Sequence, residues 1–264
     1  MKVQFQKYQG AGNDFIMIDN HSLTLSKSNK KLISWLCDRK FGIGADGVIF
    51  IQPSDKVDFE MVYFNADGKI GSMCGNGARC TVIFAKKLDI FSGNITKFAA
   101  FDGVHEGVLL DNGNVKVTMA DVKKVKEADG HYILNTGSPH YVAFTKKLDK
   151  VKVRKQGKAI RYSKPYAKEG INVNFVELNN KNIFMRTYER GVEDETLACG
   201  TGTVAVAIAV ALKKKNKEVN QSYPIYALGG DLIVSFSRNN NAFTNVWLEG
   251  PAEYVFDGEL EIPG

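Results

Sequence analysis

The sequence predicts a sheet-rich α+β chain made of two similar units, and three observations carry that prediction. Short runs of Val, Ile, Phe and Tyr, punctuated by Gly, Asn and Asp, recur along the whole length. Few stretches have a helical period, and two of them follow one repeated phrase, Cys-Gly-Asn-Gly at 74–77 and Cys-Gly-Thr-Gly at 199–202. Polar landmarks also fall at nearly equal distances ahead of each cysteine. Asn65 and Arg190 lie nine residues before, Asp46 and Asn172 lie 28 and 27 before, and Asn13 and His140 lie 61 and 59 before. With the cysteines 125 residues apart, the repeat is about 120 residues long.

Taken in order, residues 3–8 and 15–19 read as strands, and Gly10-Ala11-Gly12-Asn13-Asp14 between them reads as a turn. Residues 32–38 have a helical pattern, followed by the Gly-rich stretch 42–47 and strands at 48–52 and 59–64. Behind Cys74 run Ala78, Val82, Ile83, Phe84 and Ala85, the pattern of a buried helix that ends in lysines. Strands follow at 107–110, 115–119 and 141–144, with a further helical stretch near Leu148 and strands at 174–178 and 183–188. Behind Cys199 run Val204, Ala205, Val206, Ala207, Ile208 and Val210, a second buried helix, and residues 232–237 form a late strand.

Composition narrows the function classes. A chain of 264 residues with 44% hydrophobic content can bury a sizeable core, as one large domain or two small ones, and two are expected. No apolar run approaches the roughly 18 residues of a membrane span. Met1-Lys2-Val3-Gln4-Phe5 leads straight into a strand pattern instead of a signal peptide, so a soluble cytoplasmic protein is expected. Cys37, Cys74, Cys80 and Cys199 contain no Cys-x-x-Cys pair and are too sparse for a secreted disulfide scaffold. The net charge of +6 gathers in part at Lys213, Lys214, Lys215 and Lys217, where lysines offset the negative end of a helix. No nucleic-acid-binding motif accompanies them. His21, His105, His131 and His140 lack zinc-site spacing, and no metal is expected. The two Gly-rich stretches lack the Gly-Lys-Ser/Thr ending of a phosphate loop, and the second runs into a strand where a dinucleotide fingerprint needs a helix.

The repeated phrase points to proton chemistry. A cysteine at a helix start meets unpaired N–H groups and the positive end of the dipole, which favours its thiolate. Two such thiols on either side of a ligand could remove a proton from one face of a carbon acid and return one to the other. Reversal exchanges the roles, so the two groups should be alike in type. Gly75, Gly77, Gly200 and Gly202 let the backbone approach a ligand closely, and the adjoining N–H groups can hold its carboxylate. Negative charge that spreads into that carboxylate in the transition state is then stabilised, so no electron-sink cofactor is required. Cys37 and Cys80 sit inside helix patterns without the Gly frame and read as core. Taken singly, His140 after Gly137-Ser138-Pro139 reads as a structural turn residue, and Glu189 with Arg190 reads as a surface ion pair.

Together, residues 10–15, 39–47, 64–80, 137–142, 188–207 and Gly250-Pro251-Ala252 resemble the diaminopimelate epimerases, which work without pyridoxal phosphate. The resemblance implies two pseudo-twofold-related domains, each a mostly antiparallel sheet wrapped around a central helix. It sets them at 1–118 and 119–252, with a C-terminal strand at 253–264 returning to the first. It implies Cys74 and Cys199 as the acid and base pair, and His140 and Glu189 as the neighbours that tune them. Asn13, Asn65, Asn172, Glu189 and Arg190 become substrate contacts, while the backbone at Gly75-Asn76 and Gly200-Thr201 holds the reacting carboxylate. It further implies a small-molecule substrate, diaminopimelate, a place in lysine and peptidoglycan precursor synthesis, and a homodimer. Two features depart from the family pattern: Ser138 stands where the family often has Asn before Pro-His, and the loop 192–196 is one residue longer. The rival readings are a proline or hydroxyproline racemase, or a phenazine-biosynthesis-like isomerase. Arg190 with Asn65 and Asn172 argues against the first, and the paired thiols argue against the second.

Overall fold

The computed structural model describes residues 2–180 and 182–262. The chain forms two units, one running to Val117 and resuming at Pro251, the other from Thr118 to Gly250. In the first, β1 (Lys2–Gly10) turns back as β2 (Asn13–Asp19) through Ala11 and Gly12. Both turn residues have positive φ, 52° and 80°, the conformation that matches a tight turn to the twist of its strands. Helix α1 (Lys30–Cys37) is capped by the Asn29 side chain, which accepts from the Leu32 N–H at 3.1 Å. It returns the chain to β3 (Gly47–Gln52), parallel to β2, and β4 (Phe59–Asn65) runs back antiparallel. Helix α2 (Gly75–Lys87) crosses to β5 (Ile95–Ala100), parallel to β4, and β6 (Gly103–Leu109) and β7 (Val115–Thr118) complete a meander.

The second unit repeats this order. A hairpin of β8 (Val125–Ala128) and β9 (His131–Asn135) leads into β10 (Pro139–Thr145), antiparallel to β9. A 3-10 turn (Leu148–Lys150) and α3 (Val153–Arg161) cross to β11 (Asn172–Asn179), parallel to β10. β12 (Asn182–Glu189) is antiparallel to β11, and the short β13 (Asp194–Thr196) folds back on it. Helix α4 (Gly200–Lys213) then crosses to β14 (Asn220–Ala227), parallel to β12, and the meander closes with β15 (Gly230–Asn239) and β16 (Ala242–Gly250). The chain's last strand, β17 (Glu253–Glu261), pairs antiparallel with β1. The sequence reading carried this strand to 264; residues 263 and 264 lie outside those described.

The α+β class and the repeat read from the sequence are the architecture observed. Each sheet is covered on both faces. In the first unit Ile49 and Phe15 face α2, whereas Val48 and Phe50 join Leu32, Ile33 and Leu36 of α1. This explains why β3 is apolar from Val48 to Ile51 and buried at every residue. In the second unit α4 is buried from Gly200 to Ala211 and packs against β9 to β12 and β14 to β16, so its apolar character runs all round. Val153 of α3 covers the other face with Leu148, Ile171, Val173 and Phe175. Among the described residues no helix is long and apolar enough to cross a membrane.

Candidate active site

Cys74 is the residue before α2 and Cys199 the residue before α4, with nearly the same extended backbone, φ/ψ of −110°/111° and −127°/112°. In each case the cysteine carbonyl already accepts the first helical bond, from the Ala78 and Thr203 N–H groups at 2.8 Å. The sulfur therefore leaves the chain where the first-turn N–H groups point outward. The flanking chemistry differs between the two.

In the first unit Cys74 is partly exposed, and its sulfur lies 3.7 Å from the Asn13 Oδ1. Asn13 is oriented by Asp46, whose Oδ2 accepts from its Nδ2 at 2.6 Å, so its Oδ1 faces Cys74 and the Asn76 Nδ2 at 3.4 Å. Asp46 is held by Arg39 at 2.9 Å, and Arg39 also grips Asp14 through two bonds of 2.7 and 3.0 Å. Lys7, almost fully buried, adds an ion pair to Asp14 at 2.8 Å and donates to the Gly44 carbonyl. Burial alone would raise the Asp14 pKa, but the bonds from Arg39 and Lys7 outweigh it and bring it down to about 2. Beneath the helix start lies Arg79, wholly buried. It donates to the Gly75 carbonyl (3.2 Å), the Asn76 Oδ1 (2.9 Å) and the Pro251 carbonyl (3.2 Å). Desolvation lowers its pKa to about 10. Asn65 closes β4 with an exposed side chain, and its backbone frames the turn to Lys69.

In the second unit Cys199 is buried, with its sulfur 3.6 Å from the Thr201 Oγ1. Thr201 Oγ1 is 2.9 Å from the His140 Nε2, and His140 Nδ1 is 3.1 Å from the Asn174 Nδ2. The Asn172 Nδ2 donates to the Ser138 Oγ at 3.0 Å, and its Oδ1 accepts from the Arg190 N–H at 2.8 Å. The Arg190 guanidinium donates to the Ser138 Oγ (3.3 Å) and the Glu169 carbonyl (2.8 Å). Glu189 ends β12, where its carboxylate accepts from the Thr196 hydroxyl at 2.9 Å. His140 has no exposed surface, and burial, aided by the nearby Arg190 charge, lowers its pKa to about 3, so its ring is neutral.

The sequence-predicted residues thus gather as Asn13, Cys74 and Asn76 in one unit and as His140, Asn172, Arg190, Cys199 and Thr201 in the other. Ser138 ties Asn172 to Arg190 by its hydroxyl. Sequence spacing paired Asn13 with His140. The contacts instead make Ser138 the counterpart of Asn13, since Asn13 meets Asp46 and Ser138 meets Asn172. The loop 192–196 is a hairpin rather than a free loop. Glu195 pairs with Arg186 at 2.6 Å, and Glu193, at φ 59°, accepts from the Tyr188 hydroxyl. Sequence reading did not single out Arg79, Asn174 or Thr187. The one signal for Asn174 is its place two residues after Asn172, which puts both on one face of a strand. Cys37 and Cys80 are buried, and desolvation pushes each thiol up to about 12, as suits core residues.

A model of the family described as diaminopimelate epimerase matches residues 5–128 and again 132–255. The chain is 49% identical over 256 residues to the diaminopimelate epimerase of Flavobacterium psychrophilum, covering 97% of this chain and 99% of that protein. It is 38% identical over 260 residues to that of Chlorobaculum tepidum, covering 96% and 99%. Among solved structures it resembles a phenazine biosynthesis protein of the PhzF family from Bacillus anthracis, with a TM-score of 0.80 at 15% identity, covering 99% of this chain and 100% of that one. It also resembles a hydroxyproline epimerase from Agrobacterium vitis, with a TM-score of 0.73 at 12% identity and coverage of 98% and 92%. At such identities these two structures speak for the fold alone.

Proposed function

We propose, from the premise that the chain belongs to the diaminopimelate epimerase family, that it interconverts LL- and meso-diaminopimelate by a two-base exchange of the α-proton between Cys74 and Cys199. The observation that carries this reading is the equivalence of the two cysteines. Each immediately precedes the buried helix of its repeat, with matching backbone conformation and a Gly-x-Gly frame. One thiolate takes the α-proton and becomes a thiol. The other thiol delivers its proton to the opposite face and becomes a thiolate, so charge and protons balance and the centre inverts.

The N–H groups at Gly75-Asn76 and Gly200-Thr201 would hold the α-carboxylate, where negative charge grows as the proton leaves. Asn13, Asn65 and Asn172 would contact the substrate. Arg190 would take the distal carboxylate, for which a planar guanidinium suits paired bonds, and Glu189 the distal ammonium. No cofactor enters this scheme. The same reading places the protein in the cytoplasm, supplying lysine and peptidoglycan precursors. It also makes the protein a homodimer.

The test is incubation with LL-diaminopimelate in deuterated water, which should yield meso product carrying deuterium at the inverted carbon. Cys74→Ala and Cys199→Ala should each lower kcat/KM by about 10³-fold or more, because each removes one proton-transfer face. Turnover of proline with none of diaminopimelate, or near-normal rates in both variants, would overturn the reading.

A further inference from the structure

The hydrogen bonds behind Cys199 have a fixed direction. The Asn174 side chain can sit only one way: its Nδ2 faces the Tyr141 carbonyl at 3.1 Å and so donates, while its Oδ1 accepts from the Thr187 hydroxyl at 3.0 Å. The same Nδ2 faces the His140 Nδ1 at 3.1 Å, which must therefore accept. A neutral imidazole that accepts at Nδ1 carries its proton on Nε2. The Nε2–H points at the Thr201 Oγ1, 2.9 Å away, and Thr201 accepts it with a lone pair. The hydroxyl proton of Thr201 is then left to point at the Cys199 sulfur, 3.6 Å away. Gly202 belongs to this arrangement, because a Cβ there would lie 2.6 Å from the Asn174 Oδ1 and 3.3 Å from the Cys199 sulfur.

We infer that Asn174, acting through the tautomer of His140, aims the Thr201 hydroxyl at Cys199 and so stabilises the thiolate form of that cysteine. The inference rests on the two-thiol reading above and adds a positioning residue, Asn174, that this reading does not contain. A hydrogen bond to an anion is stronger than one to the neutral group, so an aimed hydroxyl favours thiolate over thiol. No proton leaves the relay. The α-proton goes to the sulfur, Thr201 keeps its own, and His140 stays neutral. The charged group facing His140 is Arg190, which opposes its protonation, while Asn172, Asn174 and Thr201 around it are neutral. The first unit works differently, for there the oriented Asn13 presents an acceptor to Cys74 and the charge beneath the helix start is Arg79. Two thiols of the same type are thus set in unlike surroundings, one by a buried cation and one by a neutral chain of donors.

The test is thiolate absorbance against pH in a Cys74→Ser background. Cys37 and Cys80, pushed up to about 12, stay silent there, and subtracting the spectrum of a Cys74→Ser, Cys199→Ser double variant cancels the tyrosines and leaves Cys199. Thr201→Val should move the midpoint up by about one pH unit or more, and Thr201→Ser should restore it. Asn174→Asp should also move it up, because a carboxylate draws the ring proton to Nδ1 and leaves Nε2 to take the Thr201 hydroxyl away from the sulfur. An imidazole ¹⁵N spectrum of the otherwise unaltered protein should show the His140 proton on Nε2. A midpoint unchanged by Thr201→Val, or a proton on Nδ1, would overturn the relay whether or not Asn174→Asp folds. If Cys74→Ala and Cys199→Ala both remain active, the two-thiol reading fails. If they are inactive while the midpoint stays put, only the relay fails.

Discussion

Arg79 brings a positive charge under a helix start with no solvent around it, and all its hydrogen-bond acceptors are neutral: two backbone carbonyls and the Asn76 side chain. In the sequence it reads as one more basic residue within a helix, because the planar fork that satisfies three acceptors at once is invisible without the chain segment around Pro251. Its role is to tie the first turn of α2, the Asn76 side chain and the segment entering β17 to one rigid group. Arg79→Met relieves the desolvation of the guanidinium but leaves three acceptors without their donor. We expect a net loss of about 2–4 kcal/mol in urea unfolding, since each buried acceptor so stranded costs about 1–3 kcal/mol. Arg79→Lys should recover less than half of this, because an ammonium cannot present the same flat set of donors. A loss below about 1 kcal/mol in Arg79→Met would mean that water takes over the acceptors.

At the scale of elements, the two helix starts were legible because their requirements are local: an extended cysteine, small residues where the backbone must be approached, then an apolar run. The strand β14 was harder to read, since Pro224 lies in its middle and a proline argues against a central strand. The structure resolves the conflict, for β14 pairs along its whole length with β15, while among the described residues its ladder with β12 is the single pair Phe184 and Tyr226. The third positions of the two helices, Gly77 and Gly202, look interchangeable in sequence and are not. A Cβ on Gly77 would lie 2.8 Å from the Cδ1 of Ile49, the movable tip of a side chain. A Cβ on Gly202 would meet the Asn174 Oδ1, which accepts from the Thr187 hydroxyl, on an amide whose Nδ2 is fixed by His140 and the Tyr141 carbonyl. Gly77→Ala should therefore be nearly neutral, a small clash offset by up to about 1 kcal/mol of helix propensity. Gly202→Ala should cost about 1–3 kcal/mol of stability, as overpacking does, and lower kcat/KM by about tenfold or more by displacing Asn174. Urea midpoints and α-proton exchange rates on both variants check the contrast, and equal effects would refute it.

Over the whole molecule, the duplication was readable because the same backbone task was set twice, while the difference between the copies was hidden because it depends on which side chains strand register brings together. Asp14 is separated in sequence by tens of residues from Arg39, and His140 by tens of residues from Asn174 and Thr201; only Lys7 lies near its partner Asp14. Both central groups have pKa values depressed by folding, and this shapes the response of the protein to acid. His140 titrates near 3 instead of 6.5 because burial disfavours its charged ring, so its contribution to stability is full above pH 6.5 and is lost as pH falls toward 3. Asp14 titrates near 2 instead of 3.8, so its contribution is full above about pH 4 and is lost as pH falls toward 2. Stability should therefore begin to fall near pH 6, well above the carboxylate range, and the decline between pH 6.5 and 4 should be of order 2–3 kcal/mol from His140 alone. Urea unfolding of the wild type and of His140→Gln across this interval isolates the contribution, since the other titrating groups are common to both. The variant should lose that much less on acidification, and parallel curves would show that the imidazole is not held neutral by the fold.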